Sequence, residues 1–257
     1  MSMATTFRTV VNEILSELNE VQLTSTNFAS ATNIQNAVKL FVNRAYFDIN
    51  APVYKWPWLS VDSPQANGYG NVYISTVAGT KWYLLNPSAT TVNDDYGAVD
   101  WEKMVLTTEG VVGESTPYTY QNLVYIPTEK WKDYFFESEL RDKGSGSPQY
   151  GVPRRVIRSP DNRRVGLSPT PDKEYRIYFY AYTRPVALSA EDDAFVIPDQ
   201  YIPVLVARAR YYAWQRKENP QQASLSLKDW EDGLRAMRQQ EMQATPDYIS
   251  DDRLVFV

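Results

Sequence analysis

The sequence predicts an α+β protein: a discontinuous helical domain (N-terminal helices plus a C-terminal αα-hairpin) with an inserted antiparallel β-rich domain and an extended C-terminal tail. Three observations carry this. Apolar residues recur at helical spacing near both ends of the chain. Between them lie short runs of β-branched and aromatic residues separated by Asn, Gly, Pro, Ser and Thr, the pattern of strands and turns. The last residues show no periodicity. The boundaries fall at 1–60 and 186–243 for the two helical parts, 61–185 for the insert and 244–257 for the tail.

Each element has a local cause. Phe7, Val10, Val11, Ile14, Leu15 and Leu18 line one face of a first helix. After a polar break at 27–32, Ile34, Val38, Phe41, Val42, Ala45, Tyr46 and Ile49 line a second, which Pro52 ends. Trp56-Pro57-Trp58-Leu59 is stiff and apolar and should pack. In the insert, 71–77 and 81–85 read as a hairpin around Ala78-Gly79-Thr80. Strands follow at 152–158, 164–167 and 175–182. In the last, Tyr175, Ile177, Phe179 and Ala181 share one face and Tyr178, Tyr180 and Tyr182 the other. A strand apolar on both faces is either central in a sandwich or open to a partner. Thr128 is placed as the N-cap of a helix carrying Trp131, Tyr134 and Phe135, and 142–149 as a loop. Pro198 and Pro203 sit in or near the first turn of a helix reaching Trp214. Asn219-Pro220 breaks it, and Leu227, Trp230, Leu234 and Met237 form the stripe of the last helix.

Composition removes whole classes of chemistry. With no His and no Cys in 257 residues, no Ser–His–Asp triad, Cys–His dyad, His-ligated zinc or thiolate site can be built. A net charge of -5 argues against general nucleic-acid binding, which needs a positive surface. No apolar run approaches the ~20 residues of a membrane span, and the N-terminus lacks the pattern of an export signal. A soluble protein is expected, with no cofactor, no metal site and no membrane partner.

Three constellations remain. Asp94, Asp95, Asp100 and Glu102, with the run Glu191-Asp192-Asp193, could supply paired carboxylates or a cation site. Turn and cap acids are the commoner use, and no catalytic residue is assigned. Arg154, Arg155, Arg158, Arg163 and Arg164 surround an Asp161-Asn162 turn. They could contact DNA phosphates or an acidic partner, or simply face solvent. Third, aromatic residues make up 14% of the chain, and Tyr, Trp and Arg are favoured at protein interfaces. The terminal Leu254-Val255-Phe256-Val257 is suited to a partner's sheet edge or groove.

Read in order, several stretches resemble the head-to-tail adaptor (connector) proteins of tailed bacteriophages, including tail tubular protein A. Phe7–Leu18 with Asn33-Ile34-Gln35-Asn36-Ala37-Val38 and Val42-Asn43-Arg44-Ala45-Tyr46 is similar to the family's paired N-terminal helices. Trp56-Pro57-Trp58 is similar to its Trp-rich exit. Tyr150-Gly151-Val152-Pro153, Leu167-Ser168-Pro169-Thr170-Pro171-Asp172 and Tyr175–Tyr182 with Arg184-Pro185 resemble its strand, Pro-x-Pro-Asp turn and Tyr-rich strand. Leu188-Ser189, Asp192-Asp193 and Ile197-Pro198-Asp199-Gln200-Tyr201 resemble its entry into the C-terminal hairpin. Where the family often carries Gly-Ala, this chain has Ala207-Arg208-Ala209-Arg210.

The resemblance implies a structural virion protein. It would form a dodecameric ring at the portal–tail junction, assembled in the host cytoplasm, that extends the channel through which double-stranded DNA passes. Its partners would be the portal protein, tail nozzle or fibre proteins, and other copies of itself. Tyr248, Ile249, Leu254, Val255, Phe256 and Val257 would then meet portal, and Tyr178, Tyr180 and Tyr182 a neighbour or the tail. The alternative is a tail-associated carbohydrate-binding or glycan-depolymerising β-sandwich protein.

Overall fold

A computed structural model describes residues 5–61, 72–89, 96–108, 121–130, 150–159 and 161–241. Within these the chain forms two compact units, one drawn from Met1–Leu59 and Pro185–Val257 and the other from Ser60–Arg184. The fold class is α+β, as the sequence predicts.

The first unit is helical: α1 (Phe7–Glu17), α2 (Asn33–Ile49), α3 (Ile202–Arg216) and α4 (Pro220–Glu241). Helix α1 starts at Thr6, whose hydroxyl accepts from the Thr9 amide. The exposed donors of its first turn find carbonyls elsewhere: the Phe7 and Arg8 amides bond Asp193 and Glu191 at 2.9 and 3.0 Å. It ends in a Schellman motif with Asn19 left-handed at φ 55°; the Glu20 amide returns to Leu15 and the Asn19 amide to Ser16. Phe7, Val10, Val11, Ile14 and Leu15 are buried, each worth roughly 1.5–3 kcal/mol against exposure.

Helix α2 ends against side-chain donors. Trp56 Nε1 donates to the Ile49 carbonyl at 2.7 Å, and Asn50 Nδ2 to the Tyr46 carbonyl at 2.9 Å. The Trp56 and Trp58 rings stack at 4.8 Å and 11°, and Trp56 is buried. Helix α3 is preceded by a 3-10 turn over Asp199–Tyr201 and carries Pro203 in its first turn. It packs most extensively on α4, then on α2 and α1. A second Schellman motif ends it, with the Asn219 amide on Trp214 and the Glu218 amide on Gln215. The Asn219 side chain then accepts from the Gln222 amide at 3.2 Å, so one residue closes α3 and opens α4. Tyr201, before α3, bonds Gln240 and Glu241 at the far end of α4, so the two helices are antiparallel. Gly233 makes their crossing tight: a Cβ there would lie 2.8 Å from Val204 Cγ2.

The second unit is a two-sheet sandwich. Its strands are β1 (Val72–Ser75), β2 (Trp82–Leu84), β3 (Ala98–Val99), β4 (Val105–Thr107), β5 (Gln121–Asn122), β6 (Val124–Ile126), β7 (Tyr150–Gly151), β8 (Arg155–Arg158), β9 (Arg164–Ser168), β10 (Thr170–Pro171), β11 (Arg176–Phe179) and β12 (Ala181–Tyr182). One sheet has the order β1-β11-β4-β5, the other β2-β9-β8-β6; β12 pairs with β3 and β10 with β7. Ile74, Leu106, Ile177 and Phe179 from the first sheet join Tyr83, Val156, Val165 and Leu167 from the second in one buried cluster.

Several expectations change. The segments 71–77 and 81–85 do not form a hairpin: β1 pairs with β11 and β2 with β9, in different sheets. Both Ile74 and Tyr83 face the shared core, so the turn carries the chain from sheet to sheet. Tyr83 fixes that turn, its hydroxyl accepting from the Val77 amide and donating toward the Val77 and Thr80 carbonyls. The insert is rich in antiparallel pairs, as expected, and β6–β8 and β7–β10 are parallel pairs within it. The strand placed at 152–158 begins only at Arg155, beyond Pro153, which has no amide to give. The 175–182 run splits at Tyr180 into β11 and β12, which pair in different sheets. Thr128 lies in the first turn itself rather than at the cap, and its hydroxyl donates to the Arg158 carbonyl. The stripe Trp131, Tyr134 and Phe135, the loop 142–149 and the tail 244–257 lie outside the described residues.

Two substitutions test this packing. Gly166 faces Trp82, and a Cβ there would lie 2.7 Å from the indole Cζ3. Gly166→Ala should therefore lower stability by about 1–3 kcal/mol, seen as a reduced urea midpoint. Glu218 holds φ 55°, which favours glycine. Glu218→Gly should stabilise by up to ~1 kcal/mol and raise Tm.

Candidate interaction surfaces

The three tyrosines singled out in the sequence alternate away from the buried side of their strand, but they do not share one role. Tyr178 sits on the central strand β11 opposite Tyr73, the rings 5.5 Å apart. The Arg176 guanidinium lies 4.9 Å over Tyr73, so this outer sheet face is built of two tyrosines and an arginine. Tyr180 is the most open, 38% exposed, and its carbonyl accepts from the Asp100 amide. Tyr182 is half-buried on β12 beside Ala98. Burial, then the neighbouring Asp100 and Tyr180, pushes its phenol pKa up.

The structure divides the five arginines into two groups. Arg154 and Arg155 lie at the start of β8, Arg155 opposite Ser168. Arg158, Arg163 and Arg164 surround the turn at its other end, about 10 Å along the strand. Much of the turn group serves the turn itself. Arg158 donates to the Asn162 side chain, and its guanidinium lies 5.7 Å from the centre of the Trp101 ring. Asp161 is held below the usual carboxylate range, first by the Ser159 hydroxyl that donates to it, with the Arg163 amide and the Arg164 and Arg163 charges assisting. Arg154, Arg155 and Arg164 are exposed.

The carboxylates occupy structural places. Glu191 pairs with Arg8 at 2.6 Å, and the Asp193 carboxylate accepts from the Ser189 and Ala190 amides at 2.6 and 2.8 Å. The same loop supplies the carbonyls that receive the first donors of α1. Asp100 has Lys103 at 3.7 Å, and Glu102 lies in the 3-10 turn Trp101–Lys103. Asp94 and Asp95 lie outside the described residues. Among the described residues no three acids gather as a metal site, and no helix is long and apolar enough to cross a membrane.

One cluster escaped the sequence reading. Arg208, midway along α3, donates to Asp48 of α2 at 2.7 Å while its guanidinium lies 4.2 Å over the Trp230 ring of α4. Tyr212 donates to the same carboxylate, and Arg44 stacks 4.4 Å over the Tyr212 ring. Burial and the Asp48 acceptor raise the Tyr212 phenol pKa. The only sequence signal was Ala207-Arg208-Ala209-Arg210, charges set between small residues on a buried helix. Arg210 points elsewhere, to Glu13 and Glu17 of α1.

A second cluster fixes the end of α4. Arg238 donates to the Tyr54 hydroxyl and stacks 4.5 Å over that ring, while Tyr54 packs on Trp56. Tyr201 donates to Glu241 at 2.6 Å and lies against Trp58. The portal-contact candidates Tyr248, Ile249, Leu254, Val255, Phe256 and Val257 follow this point and lie outside the described residues.

The chain thus pairs a helical unit drawn from both its ends with a β sandwich formed by its middle. A comparison with protein-family models identifies its family: the SU10 adaptor protein model matches residues 5–250, and the chain belongs to that family. It is a phage adaptor, a structural component of the virion. No curated protein sequence matches the chain.

The Arg208 cluster gives a direct check. Arg208→Ala should lower unfolding stability by about 2 kcal/mol, because Asp48 loses a charged donor in a partly buried site. Arg208→Lys should recover less than half of that, since an ammonium cannot lie flat on Trp230. Urea unfolding of the three proteins reads both.

Proposed function

We propose that this adaptor forms a homo-oligomeric ring, twelve subunits by its resemblance to tail tubular protein A, between portal and the tail nozzle or fibres. The ring prolongs the channel that double-stranded DNA follows out of the head. It works by binding and has no turnover. The observation that carries this reading is the family match over residues 5–250, which takes in both helical parts and the β sandwich. An adaptor needs separate surfaces for neighbours, portal and tail. The Tyr73–Arg176–Tyr178 sheet face, with Tyr180 and Tyr182, suits a neighbour or tail protein. The exposed Arg154, Arg155 and Arg164 suit an acidic partner or passing DNA.

The C-terminal segment is assigned to portal. Its apolar end, Leu254 to Val257, would gain from burial in a partner. Deleting Asp247–Val257 should leave the monomer Tm within about a degree, because the core of the helical unit is built from residues up to Met237, yet abolish co-sedimentation with the phage's own portal protein. Retained binding at full occupancy would remove the tail from the portal contact. Failure of the full-length chain to join portal, in sedimentation and in electron micrographs of the mixture, would overturn the ring reading as a whole.

A further inference from the structure

Four short strands bound the sandwich of the second unit. Its sheets run β1-β11-β4-β5 and β2-β9-β8-β6. Residues 76–81 carry β1 into β2, and Leu123 alone carries β5 into β6. Strands β1 and β2 therefore border one side of the sandwich, and β5 and β6 the opposite side. The ladders show what these strands turn outward. The Thr76 amide bonds Tyr175 at 2.8 Å, so alternation points the N–H and C=O groups of Tyr73 and Ser75 away from β11. The Leu85 amide bonds Arg163 at 2.9 Å, which turns those of Leu84 away from β9. On the other side the Leu123 amide bonds Met104 and the Val124 amide bonds Arg154, at 2.9 and 3.0 Å. The backbone groups of Asn122 and Tyr125 are left facing out. Among the described residues no strand pairs with these edges.

Sheet edges are ordinarily guarded by charges or prolines against pairing with another chain. These four are bare. Val72–Ser75, Trp82–Leu84, Gln121–Asn122 and Val124–Ile126 hold no charged residue and no proline. The inner strands β8, β9 and β11 instead carry Arg155, Arg158, Arg164 and Arg176. Leu84 and Val124 are 38% and 61% exposed, and both stand on the outer face of their sheet, because Tyr83 and Tyr125 beside them turn to the core. Each side of the sandwich thus presents an exposed apolar residue beside unpaired backbone groups, in two layers one sheet spacing apart. The partner that answers both layers at once is a pair of strands at that same spacing, which a second copy of this sandwich supplies. The two sides differ, so such a contact is head-to-tail, and its repetition closes a ring when the rotation divides a full turn.

We infer that the β1/β2 side of one sandwich joins the β5/β6 side of the next copy, so that β2 pairs with β6 and the sheet continues from subunit to subunit. This rests on the ring reading above and names its subunit contact. The outward groups of Leu84 and Tyr125 gain partners in the shared ladder, and β1 meets β5 in the other layer. Because the joined sheet keeps one outer face, Leu84 of one copy and Val124 of the next lie on the same face across the junction and shield each other from water.

Guarding the edges tests it in the full-length protein by analytical ultracentrifugation, alone and on portal. Leu84→Lys should weaken self-assembly about tenfold or more, and Val124→Lys should do the same from the other side. A chain carrying Leu84→Lys together with Val124→Glu should recover most of the loss, because opposite charges then face each other across the junction. Both positions are exposed, so melting curves should match wild type, and the reversed pair, Leu84→Glu with Val124→Lys, repeats the rescue should one variant misfold. If wild type forms no multimer on its own or on portal, the ring reading falls and this contact with it. If wild type assembles and either single lysine variant assembles equally well, the ring stands and this contact is wrong. If both single variants fail and neither oppositely charged pair recovers anything, the two edges do not meet, and the contact is likewise wrong.

Discussion

Helix α3 has to be enclosed. Ile202, Leu205, Val206, Ala207, Ala209, Tyr212 and Ala213 are buried and spread over most of its circumference. A helix apolar on so many sides is stable only inside a bundle. No single neighbour can cover it, so α1 and α2 from one end of the chain and α4 from the other must arrive together. The alanines keep the surrounding helices close, and Gly233 removes the last obstacle where α4 crosses Val204. The long middle of the sequence is therefore free to form its own sandwich, provided its two ends return to the same unit.

The charges on α3 add direction to this packing. Arg208 reaches α2 and α4, Arg210 reaches α1, and Lys217 reaches the Leu18 carbonyl and Glu20 beyond the end of α1 at 2.8 and 2.7 Å. Hydrophobic contact alone tolerates rotation and slippage of a helix among its neighbours. Three cations on α3 and its C-cap, each with a different partner, do not. Glu17 shows the opposing term: burial raises its pKa even though Arg210 pulls it down. The pairs hold register more than they add stability.

The helices were legible in the sequence because a helix writes its environment into nearby residues. Spacing, Pro203 near the start of α3 and Asn219-Pro220 between α3 and α4 are all local signals. Strand composition was legible for the same reason, and so was the inward face Tyr175, Ile177, Phe179 and Ala181, all of which are buried. Pairing was not. The turn at 78–80 reads identically whether its flanking strands pair together or leave for separate sheets. That choice is set by β9 and β11, which lie far along the chain. The parallel β6–β8 pair has no local signature either. Of the candidate surfaces, the arginine cluster was legible as residues but not as two groups, because strand direction separates neighbours in number. The Arg208 cluster was invisible because its acid and its ring come from two other helices.

The anchoring of α4 has a mechanical meaning. Arg238 on Tyr54 and Glu241 on Tyr201 sit side by side at the last turn, backed by the stacked Trp56 and Trp58. A force on the last turn of α4 meets these bonds as a set rather than singly. The load passes into the indole pair and from there to the C-terminal carbonyls of α2, where Trp56 is fastened to Ile49. Force arriving at the last turn of α4 is in this way spread through a rigid aromatic block before it reaches any single bond.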